Sequence, residues 1–284
     1  MFSNNKSRLL LFSTFLFLLL PAFAQDPNAI LNEMFKSVKA IKGITFTIDS
    51  KERIAGKLHE EVISFKINIS PFKEYIYQIQ PKTGLQILYV TGANDGKAKI
   101  NPAAFPWVIL NLHPEGDLML ENHHHSIFDA GYIYTTSILE FLLQKYAAQK
   151  SNVVVLNGIV RMEGLECYHL TFTNPNYRLT LYTSIAGDTP MKIAKKLHID
   201  NYSIIENNAG LKPNTNIKPG TKLILPNDYA SKMELYISKT NMIPVYLKIF
   251  DSKGLFEEFT FKNIVVNPVF TDIDFSDKNP NYKF

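Results

Sequence analysis

The sequence predicts an α+β protein in which helices pack against one large antiparallel sheet. Three observations lead there. Two stretches, residues 27–41 and 134–146, repeat apolar residues at helical spacing. Around them, many short runs alternate apolar and polar residues with a period of two, as half-buried strands require. One segment, residues 182–226, interrupts that alternation with a pattern of its own.

Asp26 is placed to cap the first helix and Pro27 suits its first turn. Ile30, Leu31, Met34, Phe35, Val38 and Ile41 fall on one face, and Gly43 is expected to end the helix. Strands follow. Ile44, Phe46 and Ile48 alternate with Thr45, Thr47 and Asp49, and Ile63, Phe65, Ile67 and Ile69 with Ser64, Lys66 and Asn68. Residues 75–77, 85–90 and 97–100 continue the series, with Pro81, Gly84 and Asn94-Asp95-Gly96 at turns. The second helix presents Ile138, Leu139, Leu142, Leu143 and Tyr146. Strands resume at 153–162 and 167–173, return at 233–237, and close as a hairpin from 245 to 261 around Asp251-Ser252-Lys253-Gly254.

The N-terminus has the three parts of a secretory signal. Lys6 and Arg8 form the basic region, residues 9–20 are nearly all Leu and Phe, and Ala22-Phe23-Ala24 is a small-x-small cleavage site. The apolar run is short for a bilayer span, which needs about 20 residues. Residue 25 is Gln, without the Cys of lipid-attached exports. The mature chain is therefore expected to start at Gln25, exported to the periplasm and not acylated. Its charge is nearly balanced: 30 basic and 26 acidic residues become 28 and 26, or +2, once Lys6 and Arg8 are removed. That balance argues against a nucleic-acid partner, which would want clustered basic residues. The single cysteine, Cys167, excludes an intrachain disulfide and reads as a small apolar residue within a strand.

Residues 182–226 resemble a LysM module, the small βααβ unit that binds N-acetylglucosamine glycans such as peptidoglycan. The resemblance rests on ordered landmarks: Gly187-Asp188-Thr189, Ile193-Ala194, Asn207-Asn208, Ile217 with Pro219-Gly220, then Leu223 and Pro226. It implies a groove between the turn after the first strand and the loop after the second helix. Its glycan-binding residues would be Gly187, Asp188, Thr189, Pro190, Asn208, Ala209, Gly210, Leu211 and Ile217, with Lys192 within reach of a polymer substituent. Most of these also have structural readings: Gly187 as a turn, Asp188 or Thr189 as a helix cap, Asn207 or Asn208 as a helix end. Pro190 departs from the usual pattern, which has Leu there, and removes one N–H from the groove.

The remaining chain is similar to an uncharacterised family of exported bacterial proteins, through FDSKGLFEEFTFKNIVVNP (residues 250–268), DIDFSDKNPNYKF (272–284) and ECYHLTF (166–172). That family resembles in fold the periplasmic lipoprotein carriers, an open antiparallel half-barrel with covering helices. The implied organisation is a signal peptide (1–24), a host half-barrel (25–177 and 231–284) and an inserted LysM domain (178–228). A βααβ unit whose own first and last strands pair brings its ends close together, which makes a long insertion inexpensive in loop-closure entropy.

Candidates for chemistry are few. His123-His124-His125 lies near His113, Asp117, Glu121 and Asp129, but three consecutive histidines cannot converge on one metal, and helical ligand spacing is absent. They read as polar or partly buried residues. No nucleophile elbow, metalloprotease helix or phosphate-binding loop occurs. Glu60-Glu61 and Glu257-Glu258 split across strand faces and read as solvated. Trp107 reads as packed in an apolar loop. The expectation is a non-catalytic, cofactor-free and metal-free peptidoglycan-binding protein whose host domain holds an acyl chain or other apolar ligand. The alternative is a lipid or lipoprotein carrier in which the insert is mainly structural.

Overall fold

The structure is a computed structural model that describes residues 26–105, 107–149 and 153–284. The signal segment, with Lys6, Arg8 and Ala22–Ala24, lies outside the described residues. Helix α1 (Pro27–Lys39) starts as expected, with the Asn28 N–H donating to Asp26 Oδ1 at 3.0 Å. It buries Ile30, Leu31, Met34, Phe35 and Val38. It ends before Gly43, at Ala40, and Gly43 instead opens β1. A methyl group on Gly43 would sit 2.9 Å from the Phe270 ring, so close approach of the C-terminal segment requires glycine there.

The strands are β1 (Gly43–Ile54), β2 (Lys57–Asn68), β3 (Lys73–Gln80), β4 (Gln86–Val90), β5 (Ala98–Asn101) and β6 (Leu110–Leu112). After α2 (Tyr132–Lys145) come β7 (Val154–Met162) and β8 (Leu165–Thr173). The chain closes with β11 (Lys232–Ser238), β12 (Pro244–Asp251) and β13 (Gly254–Val266). Together they form an eleven-stranded open sheet in the order β6-β5-β4-β3-β2-β1-β13-β12-β11-β8-β7. All the pairings are antiparallel.

The alternation sets two faces. Even-numbered residues of β1 and odd-numbered residues of β2 point inward, under α1, α2 and the segment joining β6 to α2. Phe46 is the centre of this layer. It stacks on Phe65 at 4.9 Å and meets Phe261 edge-on at 5.5 Å and Tyr132 at 6.0 Å. The outer face of β3 and β4 is covered by the C-terminus, where Tyr282 stacks on Tyr75 at 3.7 Å beside Phe275 and Phe284.

Between β8 and β11 the chain leaves the sheet as β9 (Leu179–Thr183), α3 (Pro190–Leu197), α4 (Asn201–Asn207) and β10 (Lys222–Pro226). β9 and β10 make their own two-stranded sheet. The exit and return points are adjacent because β8 pairs directly with β11, Thr173 opposite Lys232. The neck is tied by Asn174 N to Ser231 O (2.8 Å) and Asn227 N to Arg178 O (3.0 Å). Buried Asp228 accepts from Tyr146 (2.6 Å), Lys145 (2.6 Å) and Asn174 (2.9 Å), clamping the neck to α2. The insert has a separate core of Ile193, Ala194, Ile199, Ile204, Ile217, Leu223 and Leu225.

Phe46 is 2% exposed and touches three other rings, so Phe46→Ala leaves a cavity and costs about 3–5 kcal/mol. Equilibrium denaturation should show that loss; a change below about 1 kcal/mol would mean the aromatic layer is not packed as described.

Candidate functional site

The first loop of the insert is built by its own side chains. The Asp188 carboxylate accepts from Tyr182 OH (2.9 Å) and Ile185 N (2.8 Å). Thr189 caps α3, accepting from Lys192 N at 3.2 Å, and Pro190 takes the first helical position. The second loop is fastened to the first by Ile217 N to Asp188 O and Met191 N to Pro213 O, both 3.0 Å. Asn208 ties the end of α4 to β10, donating to Ile224 O (2.7 Å) and accepting from Ile224 N (3.0 Å). Asp188, Pro190 and Ile217 are thus buried supports, and Thr189 and Asn208 are held by the backbone. Gly187, Ala209 and Gly210 are exposed, and Leu211 is half-buried. Gly187 and Gly210 adopt φ of +83° and +84°, the left-handed region that favours glycine. Lys192 Nζ donates to Gly187 O at 2.9 Å.

The insert is seated on the host through polar groups. Arg53 of β1 uses all its donors: Nε and Nη2 meet Glu206 of α4 at 3.1 Å, and Nη1 meets Asp251 Oδ1 (3.0 Å) and Leu255 O (2.9 Å). Nη2 also bonds Asp251 Oδ2. The Ala55 N–H donates to Tyr202 Oη at 2.6 Å, and Asn201 Nδ2 to His124 O at 2.9 Å. Tyr202 stacks on the His124 ring at 4.7 Å.

Beneath this contact lies a buried charge network. Glu52 and Glu257 are directly opposite across β1 and β13, a destabilising pair unless countered. The countercharges come from the histidine run. His124 Nδ1 is 2.7 Å from Glu257 Oε1, and its Nε2 is 3.0 Å from Arg53 O. A ring facing a carboxylate on one nitrogen and a carbonyl on the other donates from both, which makes it an imidazolium. His125 Nε2 lies 3.0 Å from Glu257 Oε1, and Tyr229 OH reaches both Glu257 oxygens at 3.1 and 3.0 Å. Burial opposes the charge on both rings, but Glu52, Glu257 and Asp200 outweigh it and push His124 to about 9 and His125 to about 10. Burial raises Glu257, yet the two imidazoliums and their hydrogen bonds bring it down to about 2. Asp200, which caps α4, is raised by burial to about 6 despite both histidines.

His125, Asp200 and Glu257 place ligand atoms within 4.8 Å of one another, the one such group among the described residues. Glu257 is already bonded to three side chains and Asp200 Oδ1 to two backbone N–H groups, so the arrangement is complete as a hydrogen-bond network. The sequence predicts solvated pairs at Glu257-Glu258 and Glu60-Glu61. The structure corrects this: Glu257 is 0% exposed, and Glu61 faces the interior, where burial raises it. The signal was the alternation itself, which puts Glu257 on the same face as Phe259 and Phe261. Trp107 is also corrected, being 74% exposed rather than packed. Cys167 is buried in β8 as expected.

Beside the network the inner face opens into a cavity of about 270 Å³. Phe46, Ile48, Ile63, Phe65, Ile76, Ile87, Ile100, Phe259 and Phe261 form its sheet side. Leu118, Met119, Ile127 and Tyr134 form the opposite wall. One end is polar, with Glu52, Glu61, Gln78, His123 and His125. The Gln78 amide donates to Glu61 at 2.8 Å, and His123 is 3.7 Å from it. Close-packed interiors hold few voids larger than a water molecule, so a space of this size stands out from the packed core.

The family model described as "Protein of unknown function (DUF1571)" matches residues 41–187 and 212–284. The chain belongs to the DUF1571 family. A LysM domain model matches residues 182–226, as the Gly-Asp-Thr and Asn-Asn landmarks implied. This DUF1571 protein is also similar to solved structures. A DUF1329 family protein from Desulfovibrio piger is 10% identical over 89% of this chain and 98% of that one, with a TM-score of 0.34. The Mycobacterium tuberculosis lipoprotein LppX is 14% identical, covering 87% and 100%, with a TM-score of 0.42. A Vibrio parahaemolyticus domain described as outer membrane lipoprotein-sorting is 9% identical, covering 88% and 97%, with a TM-score of 0.34. No curated protein shows significant similarity to the chain. No described helix is long and apolar enough to cross a membrane.

The network dictates a pH response. The histidines' folded pKa values lie above their ordinary value near 6.5, so their stabilisation is complete below that and is lost as pH rises through about 9 and 10. Glu257 acts oppositely, its contribution fading as pH falls from about 4.5 through about 2. Asp200, raised to about 6, costs stability as pH climbs from 3.8 to that value. The melting temperature should therefore fall between pH 7 and 10 by at least about 2–4 °C, the size of a 1 kcal/mol loss in a domain this large. A double His124→Gln, His125→Gln variant should start lower and lose most of that slope. Equal slopes in the two proteins would remove the histidines from the account.

Proposed function

We propose that this DUF1571 protein is an exported, non-catalytic envelope protein that binds peptidoglycan through its LysM insert and holds an apolar chain in the host cavity. The observation that carries the first half is the module itself. Its two loops are joined by backbone bonds into one support, and Gly187 and residues 209–210 are left exposed along it. A shallow ledge with accessible backbone suits an N-acetyl group, which offers one amide donor and one acceptor. Pro190 does not obstruct this ledge, because its ring is buried in the first turn of α3. The signal-type N-terminus supports export. The charged side chains near the cavity are engaged with one another, an arrangement suited to holding a shape rather than attacking a substrate.

The cavity supports the second half. Its walls are dominated by Ile, Leu, Met and Phe, its one polar end offers hydrogen bonds, and it lies under a helix and a loop. That combination fits an amphiphile with its chain inside.

Mature protein should co-sediment with insoluble peptidoglycan. Ala209→Trp, which adds bulk at an exposed position without altering the core, should cut retention about tenfold or more, a loss of about 1.4 kcal/mol. Unchanged retention would refute binding at this ledge. Native mass spectrometry of freshly purified protein should show a hydrophobic adduct that disappears on delipidation; consistently adduct-free protein would count against the chain-holding role.

A further inference from the structure

One segment connects the cavity to the insert. The segment between β6 and α2 lines the cavity with Leu118 and Met119, while its neighbouring residues grip the insert. Asp117 Oδ1 accepts from the Asn214 N–H and from its side-chain amide, both at 3.0 Å. Glu115 O accepts from Asn214 Nδ2 at 2.7 Å, and its carboxylate pairs with Lys195 of α3. Asn214 belongs to the same short loop as Ile217, whose N–H holds the Asp188 turn of the glycan ledge. A cavity-lining residue, Leu118, is thus the chain neighbour of a residue bonded to the ledge-forming loop. Adjacent Cα atoms are about 3.8 Å apart. The apolar space also opens on this side, where Leu118 is 61% exposed.

We infer that the two sites receive one molecule, an amino-sugar glycan carrying an alkyl or acyl chain, with the sugar on the insert's ledge and the chain in the host cavity. This rests on the proposed function and names its ligand class. Two separate ligands would need neither a segment common to cavity and insert nor a rigid fastening of insert to host. Here the module is fixed by Arg53–Glu206 and Asn201–His124 along α4 and by Asp117–Asn214 in the following loop. A fixed spacing is what converts two weak sites into one strong one, because the second contact then forms at high effective concentration.

The test uses mature full-length protein, delipidated, and three probes in calorimetry: di-N-acetylchitobiose, dodecanoic acid, and a dodecyl glycoside of di-N-acetylchitobiose kept below its micelle concentration. The joined probe should bind at least about 100-fold more tightly than either of the others, within the range that tethering provides. Leu118→Arg should abolish that gain by placing a charge at the mouth of the cavity. If the separate probes bind but the joined one gains nothing, the inference fails and the two-ligand reading of the proposed function stands. If none of the three binds, the proposed function itself fails. A gain that persists in Leu118→Arg would mean the chain lies elsewhere, which also overturns the inference.

Discussion

The structure depends on a buried carboxylate that could not be tolerated alone. Glu257 has no exposed surface and faces Glu52 across the strand pair that joins the chain's first strand to its last. Desolvating such a group costs several kcal/mol unless partners compensate. Those partners are the histidine run after β6 and Tyr229 beside the insert, while Asp200 within the insert in turn favours the charge on both histidines. Host strand, crossing loop and insert are therefore committed to one arrangement by one charge.

The same arrangement explains why one end of the cavity is charged. Inward-facing residues of β1 run from Phe46 and Ile48 through Ser50 to Glu52, so the wall changes from apolar to charged along a single strand. The insert is bonded at the charged end through Glu206 and Asn201 and beside Leu118 through Asn214. A module spliced between β8 and β11 is thereby part of the host's architecture, its orientation fixed by Arg53 as much as by its neck.

The strands, both long helices and the module were legible because period and landmark residues act locally. Ile44, Phe46 and Ile48 had to share a face, and Asp26 and Pro27 had to start a helix. The network was not legible, since Glu257, His124 and Asp200 are far apart in sequence and meet only through sheet register and insert placement. Glu257-Glu258 looked like a solvated pair because adjacent strand residues do split across faces. Alternation does put Glu257 on the face of Phe259 and Phe261, but it does not say which distant residues meet it there. Gly43 illustrates a subtler limit: it looked like a helix terminator, but its role is to admit the Phe270 ring from the other end of the chain. For the ledge, the family landmarks proved to be mostly supports. Asp188, Thr189 and Asn208 shape the loops, and exposed backbone at Gly187 and residues 209–210 is what remains for a ligand.

The central claim is that an apolar chain occupies the space between the inner sheet face and the loop that carries Leu118 and Met119. A crystal structure of the mature protein, purified gently from its native envelope, measures this most directly. The account predicts continuous chain-shaped density from Phe46 toward the mouth at Leu118. A cavity collapsed onto its own side chains, or filled only by ordered water, would contradict it.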